Sequence, residues 1–262
     1  MAAQVVFILP SVGSKEKIKS AVSMVCGLPR IVRSIAEIAQ VSSGVSYVAT
    51  DSEDVLSVCR EYGIKAYRTS EDISHELRAT EDIVKRLECI NVVDDQTMII
   101  RIDPSCKWVS KNLIQHFIQF QSQTCNKAYG CVGVKVKDSS DELNHSLMKV
   151  LVGHNSEPLI YSLKPVRVCS SLQSFYNSVS SYVYVVGIDA FNRGTLSKMF
   201  SGSFSRHSVE QAQDAGVGIK VMVWDGMPPM YYDDNFTTKR IRRLVDAGGE
   251  EANSDTHKLM AA

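Results

Sequence analysis

The unbroken apolar run Gln4-Val-Val-Phe-Ile-Leu-Pro10 constrains the chain more than any other stretch. A segment that starts this early and stops at a proline reads as a buried strand inside a parallel sheet. Behind it comes Ser11-Val-Gly-Ser-Lys-Glu-Lys-Ile-Lys19, read as a polar loop. In open α/β sheets ligands bind beyond the carboxyl ends of the strands, so a loop leaving the first strand at that edge is placed to face phosphate. Hydroxyls, amides and ammonium groups all donate to phosphate oxygens, which makes Ser11, Ser14, Lys15 and Lys17 candidates. The stretch carries neither G-x-x-x-x-G-K-[ST] nor G-x-G-x-x-G. Its lysines therefore fit a solvated loop as well as a phosphate grip.

The rhythm that follows sets the architecture. Leu28 to Ala39 has Ile31, Val32, Ile35 and Ile38 at helical spacing. Val45–Thr50 is a second strand, Thr50-Asp51-Ser52-Glu53 has the form of a capping box, and a helix over Asp54–Tyr62 stops at Gly63. Ile64–Tyr67 is a third strand. Repeated β-α steps at this spacing predict a doubly wound, mostly parallel α/β sheet. Further on, Thr69–Thr80 reads as a loop, Glu81–Cys89 as a helix, Thr97–Ile102 as a strand ended by Asp103-Pro104, and Trp108–Phe120 as a helix. From Gly130 strands follow one another without helices (131–136, 147–152, 159–161), which predicts a mixed β insertion at about 130–175. Tyr182–Gly187 returns to the core pattern, then come short helices at Ala190–Phe200 and His207–Ala215, the strand Ile219–Trp224 and a helix over Thr237–Val245. The expected organisation is one domain over 1–247 and a polar tail over 248–262.

Charge balance narrows the function. Twenty-nine basic residues offset twenty-nine acidic ones, and a protein built for nucleic acid or an anionic membrane would carry a basic excess. The seven cysteines form no C-x-x-C pair and the histidines no H-x-x-x-H pair, which speaks against a zinc site and for a reducing compartment. The opening apolar run is too short for a membrane span, so a cytoplasmic location is expected.

Val48-Ala-Thr-Asp-Ser-Glu-Asp-Val55 closely resembles the V-A-T-D-x-x-x-V segment of the cytidylyltransferases that activate acidic sugars, above all those acting on 3-deoxy-manno-octulosonate (Kdo). Thr80-Glu81-Asp82 stands where that family has T-[DE]-R, Glu210-Gln211 where it has E-Q of E-Q-L-R, and Tyr231-Tyr-Asp233-Asp for its closing G-[VI]-D-T. The resemblance implies a nucleotide-diphospho-sugar transferase-like fold, transfer of CMP from CTP to Kdo, Mg²⁺ and a homodimer formed through the mixed β region, with Phe175, Tyr176 and Tyr182 as aromatic anchors. It implies Lys17 and Asp233 as catalytic residues, and Pro10, Ser11, Ser14, Lys15 and Thr80 around the nucleotide. Tyr182, Glu210, Gln211 and Lys164 would lie around the sugar, with Asp233 and Asp103 on the metal.

The departures fall where the chemistry lies. Val12 replaces the arginine of the first loop, and in ungapped register Ser105 replaces the first metal aspartate; a shift by two places brings in Asp103. Each residue also has a plainer role: Asp103 as strand terminator, Thr80 as helix cap, Glu210 and Gln211 as a polar helix face, Tyr182 as strand packing. Two classes stay open, a sugar-acid cytidylyltransferase and an inactive homologue that binds or regulates.

Overall fold

The first strand, β1 (Val5–Ser11), lies inside the sheet, as its apolar run requires: Val6, Phe7, Ile8 and Leu9 are wholly buried. The computed structural model describes residues 4–226 apart from 26, 42–43, 71, 105, 107–108, 124–127, 138, 146, 167–177 and 201–206. These belong to one compact unit, Met1–Pro229; a second unit, Met230–Ala262, is outside the described residues. So are the expected closing helix over 237–245, Asp233, Ser105, Phe175 and Tyr176.

After β1 come α1 (Lys15–Val22), a small hairpin of β2 (Met24–Val25) and β3 (Leu28–Pro29), and α2 (Arg30–Ala39). Then follow β4 (Val45–Thr50), α3 (Glu53–Glu61), β5 (Ala66–Arg68), α4 (Glu76–Cys89), β6 (Met98–Ile102) and α5 (Lys111–Gln123). The second half holds β7 (Tyr129–Lys135), α6 (Ser139–Leu143), β8 (Lys149–Gly153), β9 (Pro158–Ser162), β10 (Val179–Phe191), α7 (Arg193–Met199), α8 (Ser208–Asp214) and β11 (Ile219–Trp224). The sheet runs β11-β7-β10-β6-β1-β4-β5, with β8 and β9 added antiparallel beyond β10. Pairing is parallel from β6 through β1 and β4 to β5, and again between β7 and β11. Strand β10 is the antiparallel member, bonded to β6 and β7. The stretch read as a mixed insertion thus divides: β7 is an inner strand, while β8 and β9 form the antiparallel extension.

Alternation along β1 sends Val6 and Ile8 into one core cluster with Leu77, Ile83 and Leu87 of α4, Leu196 of α7 and Val209 of α8. Phe7 and Leu9 face the opposite side, where α1 packs on α2 and α3. Helices on both faces make the sheet doubly wound. Among the described residues no helix is long and apolar enough to cross a membrane.

Four expectations about helix starts are corrected. The polar stretch after β1 is helical from Lys15, because Ser14 caps it: the Ser14 hydroxyl accepts the Lys17 N–H at 3.4 Å. Helix α4 starts at Glu76 rather than Glu81, capped by the His75 ring, whose Nδ1 accepts the Leu77 N–H at 3.3 Å. Thr80 is therefore no cap. It is wholly buried within α4, and its hydroxyl donates to the Glu76 carbonyl at 2.8 Å. Thr50 does not cap α3 either; Ser52 holds that position without a side-chain bond. The Thr50 hydroxyl instead accepts the Ser52 N–H and donates to the Ser11 carbonyl at 2.7 Å, tying the carboxyl ends of β4 and β1 together. The predicted helix at Ala190 begins only at Arg193, after β10, with Asn192 as its cap.

Candidate active site

Adjacent parallel strands β1 and β6 end side by side, and the charged residues of this region gather at their carboxyl ends. From β1 the chain turns through Val12-Gly13-Ser14 into α1. Gly13 has φ +103°, and a Cβ there would lie 3.1 Å from the Ser74 carbonyl oxygen, so the turn is seated against the approach to α4. Lys17, in the first turn of α1, reaches across and pairs with Glu76 at 2.5 Å. Its side chain is 55% exposed and that of Glu76 15% exposed. Burial pulls the Lys17 ammonium down, but the neighbouring Glu76 carboxylate more than offsets this, and the net shift is upward. Glu76 is itself pushed up, first by burial and then by Asp103, while Lys17 and Arg101 pull it back.

Asp103 follows β6, and its N–H donates to the Gly187 carbonyl at 2.7 Å. A Cβ on residue 187 would overlap the Asp103 Cβ, so glycine is required where β10 passes this aspartate. The pairing of β10 with β7 shifts register between Val185 and Asp189, around that glycine. Two places before Asp103, Arg101 points to the same face of the sheet. It is buried, pairs with Asp189 of β10 and donates to the Ser208 hydroxyl at the start of α8. Tyr129 of β7 donates its hydroxyl to the other Asp189 oxygen at 2.6 Å. Desolvation opposes the Arg101 charge, yet Asp189 holds the guanidinium firmly protonated. Burial raises the Asp189 carboxyl, and Arg101 with Tyr129 draws it back down.

The structure thus brings Ser11, Ser14, Lys17 and Asp103 to one end of β1 and β6. Pro10 and Ser11 are buried in β1, and the Ser11 hydroxyl makes no hydrogen bond. Lys15 is exposed on α1. Val12, where the acidic-sugar enzymes carry arginine, is buried in the main core cluster. The sugar-side candidates sit in other elements. The Tyr182 hydroxyl in β10 accepts the Val166 N–H at 3.2 Å. Lys164 is exposed just after β9, its backbone N–H bonded to Ser162. Gln211 is buried and donates to the Met199 carbonyl at 2.5 Å, locking α8 to α7. Glu210 is half-buried; with Asp214 it adds to the rise that burial imposes on the Tyr161 hydroxyl. Asp233 is outside the described residues.

Glu76, Arg101, Asp189 and Gly187 were not singled out from sequence. A signal existed for two of them: Arg101 and Asp189 are single opposite charges in otherwise apolar strands, Met98-Ile-Ile-Arg-Ile102 and Val185-Val-Gly-Ile-Asp-Ala-Phe191. Buried charges are paired. Among the described residues no group of three His, Cys, Asp or Glu side chains could hold a metal ion. Asp103 supplies one oxygen donor at the mouth, which suits a cation that binds through one or two carboxylates and substrate phosphates.

Residues 23–217 match the cytidylyltransferase family. The chain belongs to that family. Among relatives of this cytidylyltransferase-family protein is the 3-deoxy-manno-octulosonate cytidylyltransferase of Brucella anthropi, 24% identical over 238 residues, 86% of this chain and 89% of that one. The enzyme of the same description from Helicobacter acinonychis is 26% identical over 136 residues, so that the chain spans about half of that relative (52%). In three dimensions the chain is similar to a CMP:2-keto-3-deoxy-manno-octonic acid synthetase complexed with CTP. The TM-score is 0.75 at 17% identity, over 94% of this chain and 99% of that one. A 4-diphosphocytidyl-2C-methyl-D-erythritol synthase superposes with TM-score 0.64 at 10% identity, over 94% and 99%. At such identities the likeness is one of fold, and it agrees with the doubly wound sheet read from sequence.

Proposed function

We propose that this member of the cytidylyltransferase family transfers CMP from CTP to Kdo or a closely related acidic sugar, releasing pyrophosphate. The observation that supports this is the juxtaposition of Lys17, on the capped first turn of α1, with Asp103 at the neighbouring strand end. In the reaction a sugar hydroxyl oxygen forms a bond to the α-phosphorus, the bond to the bridging oxygen of the β-phosphate breaks, and the hydroxyl proton is lost. Negative charge builds up on the departing pyrophosphate. The first N–H groups of α1, the Ser11 hydroxyl and the Lys17 ammonium are the donors this chain offers to it. Asp103 would be a ligand of Mg²⁺, which neutralises phosphate charge when bound, and Asp233 remains a proposed metal ligand by the family resemblance. Tyr182, Lys164 and Glu210 remain the proposed sugar contacts, and the protein is proposed to work as a cytoplasmic homodimer.

A second reading, an inactive homologue that still binds nucleotide, is favoured by two observations: Val12 is turned into the core and Lys17 is engaged by Glu76. Pyrophosphate release from CTP and Kdo with Mg²⁺ separates the two, measured for the wild type, Lys17→Ala and Asp233→Asn. Release by the wild type that falls in both variants supports the enzyme. A silent wild type whose melting temperature still rises with Mg²⁺-CTP points to the inactive binder.

A further inference from the structure

The pair between Lys17 and Glu76 has a consequence for what the mouth can bind. We infer that Glu76 is a specificity-determining residue: by engaging Lys17 it prevents the site from taking free polyphosphate, so that a phosphate chain enters only when a divalent cation accompanies it. The inference rests on the mouth being a phosphate site.

Charge accounts for it. Lys17 and Asp103 alone would balance, and the Arg101–Asp189 pair is neutral by itself. Adding Glu76 leaves the set of Lys17, Glu76, Asp103, Arg101 and Asp189 with one net negative charge. All three mouth groups act on one another electrostatically, and Arg101 acts on both Lys17 and Glu76. A chain of phosphates approaching α1 therefore meets a lysine already paired with Glu76 at 2.5 Å, in a site with one net negative charge. Like charges brought together at a partly desolvated site cost affinity.

Geometry keeps Glu76 in that position. It is the first residue of α4, whose N-terminus is fixed by the His75 ring on the Leu77 N–H. Gly13 of the facing turn is seated against the Ser74 carbonyl. The two loops are therefore interlocked, and Glu76 stays within reach of Lys17. Since His75 supplies the cap, Glu76→Gln removes the charge, keeps the shape and leaves the helix start intact.

The test uses inorganic triphosphate as the probe and the shift in melting temperature as the readout, with EDTA or with Mg²⁺. The wild type is expected to shift with Mg²⁺ and not with EDTA. Glu76→Gln is expected to shift in EDTA as well, with an affinity for triphosphate about tenfold or more above the wild type, the effect of one nearby unit charge. Glu76→Asp, which keeps the charge and shortens its reach, is expected to fall between them. Adding Lys17→Gln to Glu76→Gln is expected to abolish the gain. The inference is overturned if Glu76→Gln binds triphosphate in EDTA no better than the wild type, or if no protein of the set responds to triphosphate at all. Failure of the transferase reading shows separately, as a wild type that shifts with triphosphate and Mg²⁺ but releases no pyrophosphate from CTP and Kdo.

Discussion

Lys17 and Arg101 are both cations held by carboxylates, and their surroundings give them different roles. Lys17 is more than half exposed, so its bond to Glu76 is screened by water and adds about 1 kcal/mol or less to stability. Lys17→Ala is expected to leave the denaturation midpoint nearly unchanged. Loss of the only lysine engaged at the mouth among the described residues should lower pyrophosphate release on the order of 10²-fold, as removal of one charge-stabilising donor does. Arg101 is the reverse case. It is buried together with Asp189, and deleting it leaves that carboxylate without its counter-charge. Arg101→Met should cost about 3–5 kcal/mol in urea unfolding, the usual penalty for breaking a buried pair from one side. A loss below about 1 kcal/mol would show that the Tyr129 hydroxyl, already bonded to Asp189, suffices to hold that carboxylate.

Among the elements, β10 decides where Asp103 stands. It is the antiparallel strand in the middle of the sheet, and its irregular stretch around Gly187 lets its backbone take the Asp103 N–H while Asp189 turns to Arg101. Gly187→Ala introduces a methyl group where the Asp103 Cβ lies, so Asp103 must move. Overpacking of this kind costs about 1–3 kcal/mol, and turnover should fall further than the affinity for CTP. Gly194→Ala is the matching control. That glycine lies in α7, and its Cβ would meet only Asn192 at 3.7 Å, an ordinary contact. The change should stabilise by about 0.5–1 kcal/mol, the propensity gap between the two residues, and leave turnover alone. Thermal unfolding and steady-state kinetics on both variants check the pair of outcomes.

At the scale of the whole molecule, buried protons give a pH dependence with a definite sign. Burial pushes the Cys59 thiol up to about 11, and it raises Tyr129 and Cys131 well above their ordinary values. Each group keeps its proton to higher pH when folded than when unfolded, so the unfolded chain loses protons first. Stability is then complete below a pH of roughly 8.5, where an unperturbed thiol titrates, and falls as the pH rises towards the raised folded value of Cys59, about 11. Urea midpoints between neutral and strongly alkaline pH should decline over that window, and Cys59→Ala should flatten part of the decline. Assembly is a second matter at this scale. Leu159 and Ile160 on β9 are 39% and 38% exposed, on a strand whose ladder partner is β8. The expected homodimer through the mixed β region would cover them, and sedimentation showing a monomer at roughly tens of micromolar, where even a weak dimer forms, would remove that expectation.

Local pattern determined much of this protein by itself. The apolar run of β1, the β-α alternation to β5 and the strand at Ile219–Trp224 follow from short-range periodicity and correspond to what the fold contains; the V-A-T-D-x-x-x-V segment carried a resemblance to the family that residues 23–217 match. Helix starts were harder to read. Ser14 and His75 cap through single bonds that leave little trace in hydrophobic spacing, so the first turns of α1 and α4 passed for loop. Only tertiary structure decided the site. The partners Lys17 and Glu76 are 59 residues apart in sequence, and Arg101 and Asp189 are 88 apart. No periodicity links positions so distant. The order of strands brings them together, because β6 and β10 must lie side by side before a lone arginine in one apolar strand can meet a lone aspartate in the other.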